Sequence, residues 1–111
     1  MPSEMTIEHA SQVVAAWASE YPAIRQVWVF GSRVRGNARP HSDLDVAVAL
    51  GENAFLEGSL FEDDLFWLAL QSSLPMTLDL QWYFGPTETP ILHRALLDCS
   101  ISVYRTSVGT Q

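Results

Sequence analysis

The sequence contains no lysine, and its six basic residues are all arginines. Thirteen acidic residues outnumber them, so the formal net charge at neutral pH is −7. A chain of this charge is repelled by the phosphate backbone of DNA or RNA unless its arginines are gathered on one face. We therefore do not expect direct binding to extended nucleic acid.

Cysteine and long apolar runs are also scarce. The only cysteine, Cys99, cannot form an internal disulfide, and its apolar neighbours favour a small buried side chain over a nucleophile. No apolar run approaches the roughly 20 residues of a membrane-spanning helix, and the N-terminus lacks the basic-then-apolar pattern of a secretory signal. The sequence therefore predicts a cytoplasmic protein without membrane contact.

What the sequence does contain fits a globular protein. With 111 residues, 48% hydrophobic and 17% charged, it predicts a single domain over residues 1–111. Hydrophobic periodicity and turn residues predict helices over 6–19, 60–72 and 90–98, a helical turn over 32–36, and strands over 27–30, 44–50, 77–84 and 101–105. Thr89 is expected to cap the last of these helices. This order predicts an α/β (α+β) fold in which helices cover a small mixed sheet.

Two acidic residues mark the start of the second predicted strand. Asp43 and Asp45 are two residues apart, so both carboxylates point to the same side of the sheet. Asp79 lies on the polar face of a later strand and can join them there. Like charges at this spacing need a cation between them, and a purely oxygen donor set suits Mg²⁺ or Mn²⁺ better than zinc. Metal ions held by shared carboxylates are the usual machinery for in-line displacement at phosphorus.

Upstream of these acids, the first strand leads into a glycine-serine turn. The missing side chain of Gly31 lets backbone N–H groups approach phosphate oxygens, and Ser32 adds a hydroxyl donor. Three arginines follow closely and are placed to neutralise a triphosphate, while Ser42 can form local hydrogen bonds that fix the carboxylates. The candidate nucleotide-binding residues are Gly31, Ser32, Arg33, Arg39 and Ser42, with Arg35 as a further arginine of the cluster.

Together these motifs resemble a known signature. The segment FGSRVRG at 30–36, followed by SDLDV at 42–46, is similar to the signature of the polymerase-β-type nucleotidyltransferases, in which ten residues separate Gly-Ser from Asp-x-Asp. The minimal nucleotidyltransferases are the most similar branch. In that family a third aspartate lies on a later strand, which corresponds to Asp79, and a helix and a strand end the chain. The resemblance covers about residues 25–105.

The resemblance implies a polymerase-β-like fold and an enzyme that uses ATP. It implies that Asp43, Asp45 and Asp79 are catalytic and hold two Mg²⁺ ions, with Mn²⁺ as an alternative. Minimal nucleotidyltransferases of this kind are typically paired with a HEPN-domain toxin and act as its antitoxin by transferring AMP to a tyrosine of the toxin. The implied partner is therefore a HEPN toxin in a hetero-oligomer, and a homodimer stays open.

Other interpretations remain at this point. The chain could be a binding module that neutralises its partner by contact, or an enzyme that modifies a small hydroxylated metabolite or drug. Asp79 could simply face water, as polar residues that alternate with leucines often do. Each arginine, taken alone, is typical of a surface residue. The three histidines share no spacing, and we interpret His9, His41 and His93 as surface or boundary residues.

Overall fold

A computed structural model describes residues 5–36, 39, 42–51 and 65–106. Four strands of the described chain form one sheet in the order β3-β2-β1-β4. The strands are β1 (Ile24–Phe30), β2 (Leu44–Leu50), β3 (Leu78–Trp82) and β4 (Ser100–Arg105). Strand β1 pairs antiparallel with β2 and β4, whereas β2 and β3 run parallel. The predicted mixed sheet with helices is confirmed.

The helices of the described residues are α1 (Ile7–Ala18), α2 (Ser32–Arg35), α3 (Leu65–Ser72), α4 (Gly85–Glu88) and α5 (Pro90–Asp98). Helix α1 begins after Thr6, whose hydroxyl oxygen accepts a hydrogen bond from the His9 N–H at 3.0 Å and so caps the helix. The predicted first part of the third helix, residues 60–64, lies outside the described residues. No described helix has both the length and the apolar character needed to cross a membrane.

One face of the sheet carries the larger hydrophobic core. Alternation along β1 and β2 turns the leucine and valine side chains toward α1 and α3. Each fully buried side chain of this type contributes about 1.5–3 kcal/mol to folding through the removal of apolar surface from water. The core residues of the sheet with no exposed surface are Ile24, Val27, Val29, Leu44, Val46 and Val48.

The opposite face is covered only in part. Helix α5 packs there through Leu92 on Phe30 and Ala47, and Trp28 and Tyr83 extend this second cluster. On the same face, the polar side chains of β3 remain exposed to solvent. The sheet therefore has a core face and a face that is partly open at strands β2 and β3.

Two predicted features near the C-terminal half were wrong. The third strand ends at Trp82, so Phe84 does not continue its apolar face and is 54% exposed. Thr89 was expected to cap helix α5, but its hydroxyl instead donates to the Gly85 carbonyl at 2.7 Å and accepts from the Phe84 N–H at 3.2 Å. These bonds close the single turn α4, which the sequence pattern did not predict.

Candidate active site

The parallel pairing of β2 with β3 brings two of the candidate aspartates together. Asp45 is the register partner of Asp79, directly after the pair formed by Leu44 and Leu78. Because both leucines are buried in the core, alternation places both carboxylates on the other face. Alternation along the sequence predicts only the face of the sheet on which Asp79 lies. The observed strand register shows that Asp79 lies beside Asp45.

The Asp45 carboxyl group is perturbed by this arrangement. Its pKa is raised from 3.8 to about 6, first through burial, then through the charge of Asp79 and a hydrogen bond to it, and then through the charge of Asp43; Arg35 opposes the shift. Two carboxyl groups can share a hydrogen bond only when one is protonated. Below about pH 6 a proton can therefore occupy the place between two hard oxygen donors in which a cation would also be favoured.

The glycine-serine turn lies directly against this pair. Strand β1 pairs with β2 so that Phe30 faces Asp45, and Gly31 follows it with φ of +85° and ψ of −157°. This conformation is essentially restricted to glycine. A Cβ atom at position 31 would also collide with Asp45 Oδ2 and lie 3.1 Å from its Cγ. Residue 31 must therefore be glycine for two independent reasons, conformation and contact with the carboxylate.

Asp43 stands beside the pair without joining it. Its side chain is exposed, and its charge is felt by Asp45. Within the described part of the chain, no three acidic, histidine or cysteine side chains converge into a metal-binding group. Mutual repulsion keeps three carboxylates apart when no cation is between them, and an exposed side chain reorients within nanoseconds. Asp43 is thus close enough for its charge to act on Asp45, but the described side chains do not form a three-residue metal-binding group.

Three of the remaining candidate residues contact one another. Arg33 donates from Nε and Nη2 to the Ser42 carbonyl oxygen at 3.0 and 2.7 Å. The Ser42 hydroxyl accepts from the Arg39 N–H at 2.8 Å, and the Ser42 N–H donates to the Arg39 carbonyl at 2.9 Å. These bonds organise the segment that precedes Asp43. Ser32, the first residue of α2, follows Gly31 in the turn and is half-buried.

Arg35 is the arginine of the cluster whose charge reaches the acidic pair. Its guanidinium is half-exposed and lies 3.6 Å from the carboxylate of Asp98 at the end of helix α5. The role of Asp98 was not predicted, because the two residues are far apart in sequence and nothing in the pattern links them. An exposed ion pair of this kind is weak, so Arg35 can exchange Asp98 for another anion at little cost.

The chain matches the model of a known protein family. A family model described as "Polymerase beta, Nucleotidyltransferase" matches residues 12–107, which is most of the chain. No curated protein sequence matches the chain.

Several solved structures share the fold. A chain from the crystal structure of a toxin-antitoxin with AMP-PNP is 18% identical, with 87% of this chain and 74% of that one covered and a TM-score of 0.61. A chain from a structure of tri-AMPylated Shewanella oneidensis HEPN toxin in complex with MNT antitoxin is 16% identical. The match covers 89% of this chain and 72% of that one, with a TM-score of 0.56. A putative nucleotidyltransferase from Sulfolobus solfataricus is 20% identical. The match covers 90% of this chain and 80% of that one, with a TM-score of 0.52. At these identities the likeness establishes the fold alone.

Proposed function

The chain belongs to the polymerase beta nucleotidyltransferase family, and we propose that it transfers AMP from ATP to a hydroxyl group of a protein in a Mg²⁺-dependent reaction. One observation carries this proposal: Asp45 and Asp79 lie side by side on the open face of the sheet, directly against the Gly31 turn. A triphosphate bound at the turn would place its phosphorus atoms next to the carboxylates.

Asp43, Asp45 and Asp79 would hold the metal, as two Mg²⁺ ions or, alternatively, Mn²⁺. The fit rests on the donor chemistry, since all three side chains offer only oxygen, and on the raised pKa of Asp45, which indicates that positive charge is favoured beside its carboxylate. When bound, the ions supply charge neutralisation for the triphosphate and a lowered pKa for the acceptor hydroxyl.

The protein's own groups would orient the reactants. The Ser32 hydroxyl donates to the phosphate oxygens beside the Gly31 turn, and Arg35 exchanges its contact with Asp98 for the triphosphate. The acceptor oxygen attacks the α-phosphorus in line, its bond to phosphorus forms as the bond to pyrophosphate breaks, and pyrophosphate leaves. The acceptor proton passes to the carboxylate of Asp79, which is exposed on the side from which an acceptor would approach.

The acceptor is proposed to be a HEPN toxin, for which this chain would be the antitoxin. Support comes from the structural neighbours, one of which contains a tri-AMPylated HEPN toxin with an MNT antitoxin and another a toxin-antitoxin with AMP-PNP. The openness of the site also favours a protein acceptor, since Asp43, Asp79 and Gln81 are all exposed. A macromolecule can reach such a face, whereas a small molecule is usually held in a cleft that buries most of its surface.

The test is a transfer assay with the protein encoded next to this chain, which the proposal expects to be a HEPN protein. The two proteins are incubated with ATP and Mg²⁺, and the HEPN protein is weighed by mass spectrometry. We expect a gain of one or more AMP units, lost in Asp79→Asn and retained in Glu20→Gln, which neutralises an exposed acid two residues beyond helix α1.

If the partner is inhibited without gaining mass, the enzymatic function is refuted. The second candidate function, a binding module that acts by contact, then takes its place.

A further inference from the structure

The guanidinium of Arg33 binds a backbone carbonyl next to the candidate metal ligands. Its Nε and Nη2 both donate to the carbonyl oxygen of Ser42, at 3.0 and 2.7 Å. Because the two residues are nine positions apart, these bonds tie helix α2 to the segment that leads into strand β2. A guanidinium presents its N–H groups in one rigid plane, so it orients an acceptor more strictly than a flexible ammonium does.

The bound carbonyl belongs to the peptide group that joins Ser42 to Asp43. On the far side of Asp43, the Leu44 N–H donates to the Thr77 carbonyl at 2.8 Å, and the Leu44 side chain is fully buried. Asp43 therefore lies between two peptide groups that hydrogen bonds hold in place. Its backbone is fixed although its side chain is exposed.

Arg33 reaches this carbonyl from the core side of the sheet. It lines a cavity together with Ile7, Leu44 and Met76, and Leu44 points to the face opposite Asp45. A residue that binds the triphosphate would have to extend to the carboxylate face, where the charge of Arg35 is felt. The location of Arg33 thus differs from that expected of a phosphate ligand.

We propose that Arg33 is a positioning residue, which holds the Ser42–Asp43 peptide so that the Asp43 carboxylate can close on Asp45 and Asp79, and that it does not bind the triphosphate. The proposal rests on the proposed function, in which Asp43 is a metal ligand. Without the two hydrogen bonds, Asp43 spends less time in the competent orientation, and the apparent metal affinity falls in proportion. Loss of a group that orients a metal ligand typically costs about 10–100-fold in metal affinity or activity.

The experiment compares Arg33→Lys and Arg33→Ala with the wild-type chain and with Arg94→Lys, a change at an exposed arginine on helix α5. Free Mn²⁺ is followed by electron paramagnetic resonance in the presence of a non-hydrolysable ATP analogue, and kcat and KM for ATP are measured with the HEPN protein as acceptor. Lysine keeps the positive charge but loses the planar pair of donors, so it separates positioning from phosphate binding.

In both Arg33 variants we expect a 10–100-fold weaker Mn²⁺ affinity, a lower kcat and an unchanged KM for ATP. Arg94→Lys should match the wild type. Added guanidinium ion should partly restore Mn²⁺ binding to Arg33→Ala. If that variant does not unfold cooperatively on heating, Arg33→Lys alone decides.

Unchanged Mn²⁺ affinity in Arg33→Lys would overturn the proposal, and so would a raised KM for ATP with normal metal binding, which identifies a phosphate ligand. Weakened Mn²⁺ binding in a protein whose wild type transfers no nucleotide would uphold positioning by Arg33 and refute the proposed function.

Discussion

Replacement of Asp45 by asparagine should stabilise the metal-free protein. The pKa of Asp45 is raised from 3.8 to about 6, chiefly by burial and then by Asp79. At about 1.36 kcal/mol per pKa unit, this shift corresponds to roughly 3 kcal/mol of destabilisation when the group is ionised. Because Asp45 is only partly buried, solvent screening reduces the cost to about 1–2 kcal/mol. Asparagine removes the charge and can donate a hydrogen bond to Asp79.

The pH dependence has a definite sign. Since the folded state binds the Asp45 proton more tightly than the unfolded state, stability falls as the pH rises from about 4 to 6 and the penalty is complete above that range. The gain in Asp45→Asn should therefore be present at neutral pH and disappear near pH 4. For a domain of this size the expected rise in Tm at neutral pH is about 5–10 °C.

The assay is thermal unfolding followed by circular dichroism, in chelator and then in Mg²⁺, with Glu20→Gln as the control for loss of an exposed acid. Mg²⁺ should raise the Tm of the wild type more than that of Asp45→Asn, because a ligand stabilises the state that binds it. If Asp45→Asn is less stable than the wild type in chelator at neutral pH, or if its advantage persists unchanged at pH 4, the electrostatic reasoning is refuted.

Three further predictions follow from the site. Gly31→Ala should abolish nucleotide transfer and destabilise the fold more than Gly36→Ala does. At Gly36 a Cβ meets nothing within 4 Å, so only the left-handed strain of roughly 1–2 kcal/mol is expected there, and thermal unfolding of both variants checks the difference. The half-saturating Mg²⁺ concentration should rise as the pH falls below about 6, because protons compete for Asp45, and isothermal titration calorimetry measures it. Arg35→Gln should raise KM for ATP about 10-fold with the metal affinity unchanged, as expected for a lost charge-assisted contact and checked by steady-state kinetics.

The sequence predicted those elements that have a strong local signal. Strand β2 was predicted with its observed bounds, because large apolar residues alternate with small or acidic ones from Leu44 to Leu50. The helical turn after Gly31 and the last helix were also predicted closely, since glycine and proline mark their ends. Strand β1 begins at Ile24, three residues before its predicted start, and pairing with its neighbours extends it beyond the local pattern.

The features that were missed depend on contacts between distant residues. Whether Asp79 lies beside Asp45 or farther along the strand is decided by a register between segments 34 residues apart, and alternation gives only the face. Arg33 was predicted as a nucleotide ligand from its place in the arginine cluster, and its contact with the Ser42 carbonyl depends on how α2 packs against the start of β2. The role of Arg33 at the nucleotide stays a prediction that the experiment above decides.

The geometry around Asp45 also indicates how the three carboxylates would hold a metal ion. The Gly31 turn and Asp79 both lie against this carboxylate, which binds a proton more tightly than a free aspartate does because burial and the charge of Asp79 raise its pKa. Asp43, by contrast, has an exposed side chain that can turn toward solvent, and repulsion favours that orientation until a cation arrives. Asp45 and Asp79 would thus form a fixed pair of ligands, and Asp43 would add a mobile side chain on a backbone that hydrogen bonds hold in place. Metal binding would then depend on the nucleotide, whose phosphates supply the remaining oxygens. Metal affinity should therefore be weak for the protein alone and rise when the ATP analogue is added, and equal affinity in both conditions would show that the third carboxylate is already in place.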